Sequence, residues 1–244
     1  MASLSIIIPT LNEEECLGRT LSCLSSLEPP AQEIIIVDGG SQDKTLSIAD
    51  DYDITLITSS SQGRAIQMNQ GARVATGDYL CFVHADTLVP VDLVTVIEKT
   101  LNHQHIACGG FISLMKGPQT TRWGTSLHNY LKTYYAPLLF RPHLFFFKGL
   151  RLLFGDQVMF CRRADFWQCG GFDSNLPIME DADLCLKLVA YGKICLLNHV
   201  VESSDRRVAK LGALKANLIY LWIGILWGLG VSASYLKQFY AEIR

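Results

Sequence analysis

The chain has 244 residues and a formal net charge of -2, from 21 basic and 23 acidic side chains. This length is sufficient for one large domain, or for one domain with a small appendage. The near balance of charge argues against a nucleic-acid partner, because such a partner favours a strongly basic surface.

The eight cysteines show no spacing typical of a metal site, and several lie in apolar runs, where buried thiols are common. The N-terminal "MAS" continues directly into "LSIII", without the basic region or cleavage site of a signal peptide. The sequence therefore predicts a cytoplasmic protein with reduced thiols.

The first hundred residues alternate between short apolar runs and amphipathic segments. The predicted strands are residues 4–9, 33–38, 53–58 and 78–83. They are apolar along most of their length, as in a parallel sheet covered on both faces. The predicted helices are residues 13–27 (capped by Asn12), 42–51, 63–76 and 91–102. Right-handed crossovers then give an α/β fold with a doubly wound, mostly parallel sheet of Rossmann-like type.

The second half is less regular. The predicted strands are 107–114, 156–162 and 193–198, the predicted helix is 180–191, and 121–135 is helical or irregular. The apolar segment 137–154 is broken by proline and glycine, so we expect a mobile or surface-seeking loop there.

Residues 216–236 carry no charge and approach the length of about 20 residues that spans a bilayer. Gly228 and Gly230 interrupt this segment, and Ser232 can cap a new helix. We therefore expect two packed helices, buried or at a subunit or membrane interface, rather than one transmembrane span.

Polar or glycine-rich segments follow all four N-terminal strands. They are "PTLNEEE", "DGGSQD", "TSSSQGRA" and "HADT". Ligands bind beyond the carboxyl ends of strands in such sheets, so the coincidence predicts a nucleotide pocket. Asp38 can accept from a base or ribose, and Gly39 allows close approach of the backbone. "DGGSQD" alone is equally consistent with a turn and the N-cap of the next helix.

Four motifs carry a resemblance to a known family. They are "SIIIPTLNEEECLGRTLSCL", "EIIIVDGGSQDKT", "GRAIQMNQGARVATGDYLCFVHADT" and "MEDADLCLKL". In order and spacing they resemble the family 2 glycosyltransferases of GT-A fold, over about residues 3–200. The segment "SSDRRVAKLG" is similar to a bacterial subgroup named for its association with radical-SAM or selenium-related genes, of arsenosugar type. The resemblance implies a GT-A domain over 1–205 and apolar C-terminal helices over 206–244.

The resemblance also implies which residues bind a nucleotide-sugar donor. The implied nucleotide contacts are Pro9, Thr10, Asn12, Glu14, Asp38 and Gly39. Arg64 corresponds to an arginine that reaches base or phosphate in the family. Arg206 and Arg207 correspond to basic residues that fold over the diphosphate.

"HAD" stands where the family has D-x-D, so the resemblance implies donor contacts from His84, Ala85 and Asp86. Asp86 matches the metal position, and the oxygen ligands expected there suit Mg²⁺ or Mn²⁺. His84 replaces the first aspartate and can still hydrogen-bond a ribose hydroxyl. Asp181 and Asp183 match D-x-D literally, but residues two apart on a helix point to nearly opposite sides.

"EDAD" is similar to the family's catalytic motif at the start of a helix, which implies Asp181 as general base and Glu180 as its positioning neighbour. The implied reaction is an inverting transfer of a sugar, most simply from a uridine diphosphate donor, to an acceptor hydroxyl. A nucleotidyltransferase is a second interpretation, disfavoured by the acidic "PTLNEEE". A third is an inactive nucleotide-binding or membrane-associated protein of the same fold. The apolar segments 130–154 and 218–236 indicate a lipid-linked or otherwise apolar acceptor, or a homodimer interface.

Overall fold

A computed structural model describes residues 3–59, 61–117 and 120–241, without the side chains of residues 207, 210, 240 and 241. Within these residues one sheet has the strand order β3-β2-β1-β4-β7-β6-β8-β5. Its strands are β1 (Leu4–Thr10), β2 (Glu33–Asp38), β3 (Thr55–Thr58), β4 (Tyr79–Phe82), β5 (Thr87–Leu88), β6 (Ile106–Lys116), β7 (Met159–Arg162) and β8 (Lys193–Ser204).

The first four strands of this order are mutually parallel, and β6 pairs parallel with β8. Strand β7 runs antiparallel between β4 and β6, and the short β5 runs antiparallel to β8 at the edge. The predicted mostly parallel α/β sheet is therefore confirmed, and each antiparallel pair among the described residues involves β7 or β8.

Helices cover both faces of the sheet. They are α1 (Leu17–Ser25), α2 (Thr45–Ala49), α3 (Arg64–Val74), α4 (Leu93–Leu101), α5 (Trp123–Phe140), α6 (Pro142–Phe147), α7 (Arg163–Gln168), α8 (Glu180–Leu188), α9 (Arg206–Leu211), α10 (Ala213–Gly228) and α11 (Ala233–Ala241). Alternate residues of one strand enter opposite cores. Ile7 packs in the same core as Met68 of α3, whereas Ile6 and Ile8 pack in the same core as Leu21 of α1.

The first helix starts later than predicted, at Leu17 rather than at residue 13, and Asn12 does not cap it. Asn12 adopts a left-handed conformation with φ of 54°. Its side-chain oxygen accepts a hydrogen bond from the backbone N–H of Gln42 at 2.8 Å. The prediction was wrong because the backbone N–H groups of residues 12–14 and the Asn12 side chain bond to residues 41–45 and hold this segment outside the helix.

The prediction of a loop over 137–154 is also wrong. Helix α5 continues to Phe140 with Pro137 inside it, and α6 follows directly. Leu150 and Leu153 are fully buried, so the second half of the segment belongs to the core. Phe147, by contrast, is 86% exposed, and this part is apolar surface.

The predicted pair of C-terminal helices is confirmed as α10 and α11, which pack on each other and on Ile178 through Ile223, Ala233 and Leu236. Tyr235 N–H donates to the hydroxyl of Ser232 at the start of α11. Among the described residues, no helix has the length and apolar character needed to cross a bilayer.

Candidate active site

A large cavity of about 1070 Å³ opens at the carboxyl ends of β1 and β4. The first turn of α8 forms part of its wall, and residues of α9, α10 and α11 also line it. The predicted site residues on its walls are Pro9, Thr10, Asn12, Arg64, His84, Ala85, Asp86, Glu180, Asp181 and Arg206. Residues far apart in the sequence therefore meet at one cavity.

Three predicted nucleotide contacts do not line the cavity among the described residues: Glu14, Asp38 and Gly39. Asp38 is fully buried beneath it. Its carboxylate accepts hydrogen bonds from the backbone N–H groups of Gly40 and Ser41 and from the hydroxyls of Thr10 and Ser41. A nucleotide contact at Asp38 would therefore require one of these bonds to break. The predicted role of Arg207 concerns a side chain outside the described residues.

The loop after β2 supports the first loop instead of lining the cavity. The backbone N–H of Glu13 donates to the hydroxyl of Thr45, and the carboxylate of Glu14 accepts from the N–H of Lys44. Of the four strand ends predicted to converge, the first, third and fourth supply cavity walls. The segment after β2 instead forms hydrogen bonds that hold the segment after β1 in place.

Asp86 lies on the cavity wall and pairs with Arg206, whose guanidinium is 3.3 Å from the carboxylate. The same arginine bonds Glu13. Burial alone would lower the pKa of Arg206, but the hydrogen bond and charge of Glu13 and the charge of Asp86 outweigh it and raise that pKa. The guanidinium of Arg206 at the start of α9 thus links the first loop to the turn after β4.

Asp181 occupies the first turn of α8, where the helix dipole favours a carboxylate. The residue before this helix, Met179, has a left-handed φ of 68°, which turns the chain sharply into the cavity. Burial and, second to it, the neighbouring charge of Glu180 raise the pKa of Asp181 to about 8, against the opposing charge of Arg64. A carboxyl with such a pKa can exchange a proton near neutral pH.

Glu180 is nearly fully buried and forms an ion pair with Arg64 at 3.3 Å. The structure thus brings Arg64 to the acidic first turn of α8. Asp183, the second aspartate of the literal D-x-D, forms a 2.7 Å ion pair with Lys187 and does not line the cavity. The prediction that Asp181 and Asp183 point apart is confirmed.

His84 and Asp86 line the cavity together, as predicted, on a turn after β4 in which the Thr87 N–H donates to the His84 carbonyl. Across from them, a 3₁₀ turn over Gly155–Gln157 brings the chain close to the His84 ring. A side chain on Gly155 would lie 2.4 Å from His84 Nε2 and 3.0 Å from Asp181 Oδ2.

Replacing Gly155 with alanine should therefore displace His84, Asp181 or both. Because a displacement of about 1 Å in a catalytic group can reduce the rate about 100-fold, we expect a loss of this order in turnover. Gly124→Ala is the matched control, since a side chain there meets no atom within 4 Å. Steady-state kinetics of the two variants test this, and equal turnover would contradict the described packing.

Sequence reasoning missed a polar group on α5. Lys132 and Asn129 line the cavity opposite α8, and Asn129 donates to the carboxylate of Asp156 at 2.7 Å. Burial lowers the pKa of Lys132 to about 8, against the charges of Asp156 and Asp181, which raise it. No local motif marks these residues, and only the packing of α5 across the sheet brings them to the cavity.

The described residues contain no group of three or more His, Cys, Asp or Glu side chains placed to hold a metal ion. Asp86 nevertheless presents a carboxylate, the ligand type of a hard divalent cation, to open cavity space. A cation bound there would take further oxygen ligands from a diphosphate or from water, as Mg²⁺ usually does. Asp86 therefore fits a hard divalent cation as one oxygen ligand, with Arg206 beside it.

Solved structures that match this chain define its fold. Glucosyl-3-phosphoglycerate synthase from Mycobacterium tuberculosis, in complex with Mn²⁺, UDP and phosphoglyceric acid, matches with a TM-score of 0.67 and 19% identity over 94% of this chain and 79% of that chain. A mannosyltransferase from Pyrobaculum calidifontis, in complex with GDP-mannose and Mn²⁺, matches with a TM-score of 0.66 and 20% identity over 91% and 62%. The fold is the GT-A fold of glycosyltransferases.

The sequence comparison is more specific. Residues 5–168 match the model of glycosyl transferase family 2, which is more than half of the chain. A PGL/p-HBAD biosynthesis glycosyltransferase of Mycobacterium bovis is 26% identical over 190 residues, covering 75% of this chain and 68% of the relative. The chain belongs to glycosyl transferase family 2 and is a glycosyltransferase.

Proposed function

We propose that the protein transfers a sugar, with inversion at the anomeric carbon, from a nucleoside diphosphate sugar to an acceptor hydroxyl with the help of a divalent cation. The observation that carries the proposal is the meeting of Asp86, Arg206 and Asp181 at one cavity. Asp86 and Arg206 suit a cation and a diphosphate, and Asp181 suits an acceptor proton.

The donor is assigned to the side of the cavity formed by the first loop and the turn after β4. Mn²⁺ or Mg²⁺ bound at Asp86 would supply Lewis-acid stabilisation of the leaving diphosphate. Arg206 adds a fixed positive charge in the same region, and Pro9, Thr10 and Asn12 offer backbone and side-chain groups to the nucleoside. Solved relatives bound to UDP or to GDP-mannose support this class of donor, and uridine is our first choice of base.

Asp181 is assigned as general base. An acceptor hydroxyl is a weak nucleophile until a carboxylate takes its proton during attack. One base facing one donor gives a single displacement, and therefore inversion. Glu180, held by Arg64, keeps the first turn of α8 in place.

This assignment predicts a pH profile. In the free protein Asp181 is protonated below a pKa of about 8 and cannot accept a proton there. The kcat/KM for the donor, measured as donor hydrolysis without acceptor, should rise about tenfold per pH unit below 8 and level off above it. A flat profile between pH 6 and 9 would contradict the assignment of Asp181.

Finer features extend the same proposal. Membership of the small radical-SAM or selenium-associated subgroup rests on "SSDRRVAKLG". Exposed apolar side chains, including Phe146, Phe147 and Trp222, support a contact with a membrane surface or a homodimer. The boundary at residue 205 separates the transferase unit from helices whose side chains Tyr220 and Lys237 nevertheless reach the cavity.

A second function, an inactive nucleotide-binding protein of this fold, is favoured by one feature: His84 stands where the family has its first aspartate. Calorimetric titration of UDP and of GDP into the purified chain, first with Mn²⁺ and then with EDTA, tests the donor site, and release of the nucleoside diphosphate from its sugar donor separates the active from the inactive protein. We expect metal-dependent binding of one nucleotide. Binding of neither nucleotide under either condition would overturn the proposed function.

A further inference from the structure

A second, smaller cavity of about 90 Å³ lies between α5 and α10. Its walls are almost entirely apolar and include Ala136, Leu139, Leu152, Leu186, Ile225 and Trp227. This volume is below the roughly 150 Å³ of an engineered cavity that admits benzene. It therefore suits a narrow hydrocarbon chain better than a ring.

The small cavity adjoins the large one beside the proposed base. Lys132, Phe154, Met179 and Gly224 line both. Phe154 immediately precedes Gly155, and Met179 immediately precedes the Glu180–Asp181 pair. A molecule that extends from the small cavity into the large one would therefore pass directly beside Asp181.

Charge changes abruptly at this junction. The amine of Lys132 lies 3.6 Å from the centroid of the Phe154 ring, at the boundary between the apolar walls and the carboxylates of Asp156 and Asp181. The large cavity on one side of Lys132 has polar groups on its walls, whereas the small cavity on the other side is almost entirely apolar. A ligand matched to both sides has one polar end and one hydrocarbon end.

Two glycines of α10 border the small cavity for different reasons. A side chain on Gly228 would meet the Phe140 ring at 2.4 Å, so this glycine allows close packing of α5 and α10. A side chain on Gly224 would meet no atom within 4 Å. Gly224 thus borders open space at the junction of the two cavities, at a helix position where alanine is the more favourable residue.

We infer that the acceptor is an amphiphile whose unbranched hydrocarbon chain occupies the small cavity between α5 and α10 and whose hydroxyl-bearing end faces Asp181. This inference rests on the proposed function, because it places the acceptor of that reaction. Each methylene that enters the cavity should tighten binding about fourfold, from the transfer free energy of a buried methylene. The gain ends when the chain fills the cavity.

A series of n-alkyl β-D-glucosides from methyl to octyl, kept below micelle-forming concentrations, tests this. The affinity of the 244-residue protein for each glucoside is measured with UDP and Mn²⁺ present. We expect affinity to rise with chain length and then level off. Gly224→Leu should abolish the dependence on chain length, and Gly224→Ala should shorten the rise. The matched control is Gly124→Leu. A Cβ at Gly124 would also meet no atom within 4 Å, but this residue lines neither cavity, so the variant should show the wild-type dependence of affinity on chain length.

Titration of UDP in the same samples separates the two proposals. Intact UDP binding with no dependence on alkyl-chain length, either for the monomeric glucosides or for the same glucosides in vesicles, would overturn the inference and leave the proposed function standing. Failure of the wild-type chain to bind either UDP or GDP would overturn both.

Comparison of monomeric octyl glucoside with the same glucoside in phosphatidylcholine vesicles shows whether the hydrocarbon chain belongs to a free amphiphile or to a membrane lipid. Binding of the monomer assigns the chain to a free amphiphile. Binding confined to vesicles assigns it to a membrane lipid. Binding of neither overturns the inference.

Discussion

Asp181→Asn is expected to lower turnover by about 10²–10⁴-fold, the usual contribution of a general base. The amide keeps the shape of the carboxyl but cannot accept the acceptor proton. Donor binding should persist, because the donor is assigned to Asp86, Arg206 and the first loop. Steady-state kinetics and UDP titration of the variant measure the two effects separately.

The same substitution should stabilise the fold above neutral pH. Asp181 has a pKa of about 8 in the folded protein against an ordinary value of 3.8. Between these values the folded state binds more protons than the unfolded state, so the stability due to this group falls as pH rises from about 4 to 8. Asparagine does not titrate and escapes this loss.

Thermal unfolding at pH 5, 7 and 9 checks the sign. The gain of Asp181→Asn over the wild type should grow with pH, by about 2–4 °C for each 1 kcal/mol in a chain of this size. Asp183→Asn is the matched control, because its ion pair with Lys187 lies outside the cavity. A gain that is equal at all three pH values, or equal losses of turnover in the two variants, would contradict the assignment.

Asp86→Ala should weaken Mn²⁺-dependent nucleotide binding at least about 100-fold. Asp86 is the carboxylate assigned to the cation, and loss even of an outer-shell partner commonly costs about 10–100-fold in metal affinity. Calorimetric titration of UDP with Mn²⁺ and with EDTA should therefore give nearly the same weak binding in the variant.

The control for this change is Glu15→Ala. Glu15 also faces Arg206, at 3.8 Å, but its side chain is 77% exposed. Exposed pairs of this kind contribute little, so metal-dependent binding should stay near that of the wild type. Retention of metal dependence in Asp86→Ala would show that the cation binds elsewhere.

The sheet and much of the site could be predicted from local sequence. Mainly apolar runs predict β1 to β4, and the polar segments after them place Asn12, His84 and Asp86 at one edge. The acidic start of α8 likewise placed Asp181 on the inner side and Asp183 away from it. These are short-range patterns, in which helix or strand periodicity decides where each side chain points.

The remainder depends on contacts between distant segments. The acidic residues after Asn12 resemble a helix start, but the loop after β2 supplies their hydrogen-bond partners, and α1 begins at Leu17. Lys132 lies in a predominantly apolar helix without a motif, and its role at the cavity follows only from the position of α5 across from α8. The C-terminal helices were predicted as an interface, whereas the structure shows them supplying cavity walls, which no local pattern indicated.

The most direct test of the account is the anomer first released when water replaces the acceptor. UDP-glucose and GDP-mannose would each be incubated with the protein and Mn²⁺ and followed by proton NMR before the free sugar mutarotates. We predict release of one nucleoside diphosphate with a sugar of inverted configuration, and loss of this release in Asp181→Asn. Release of a sugar with retained configuration, or equal release by Asp181→Asn, would contradict a single displacement with Asp181 as base.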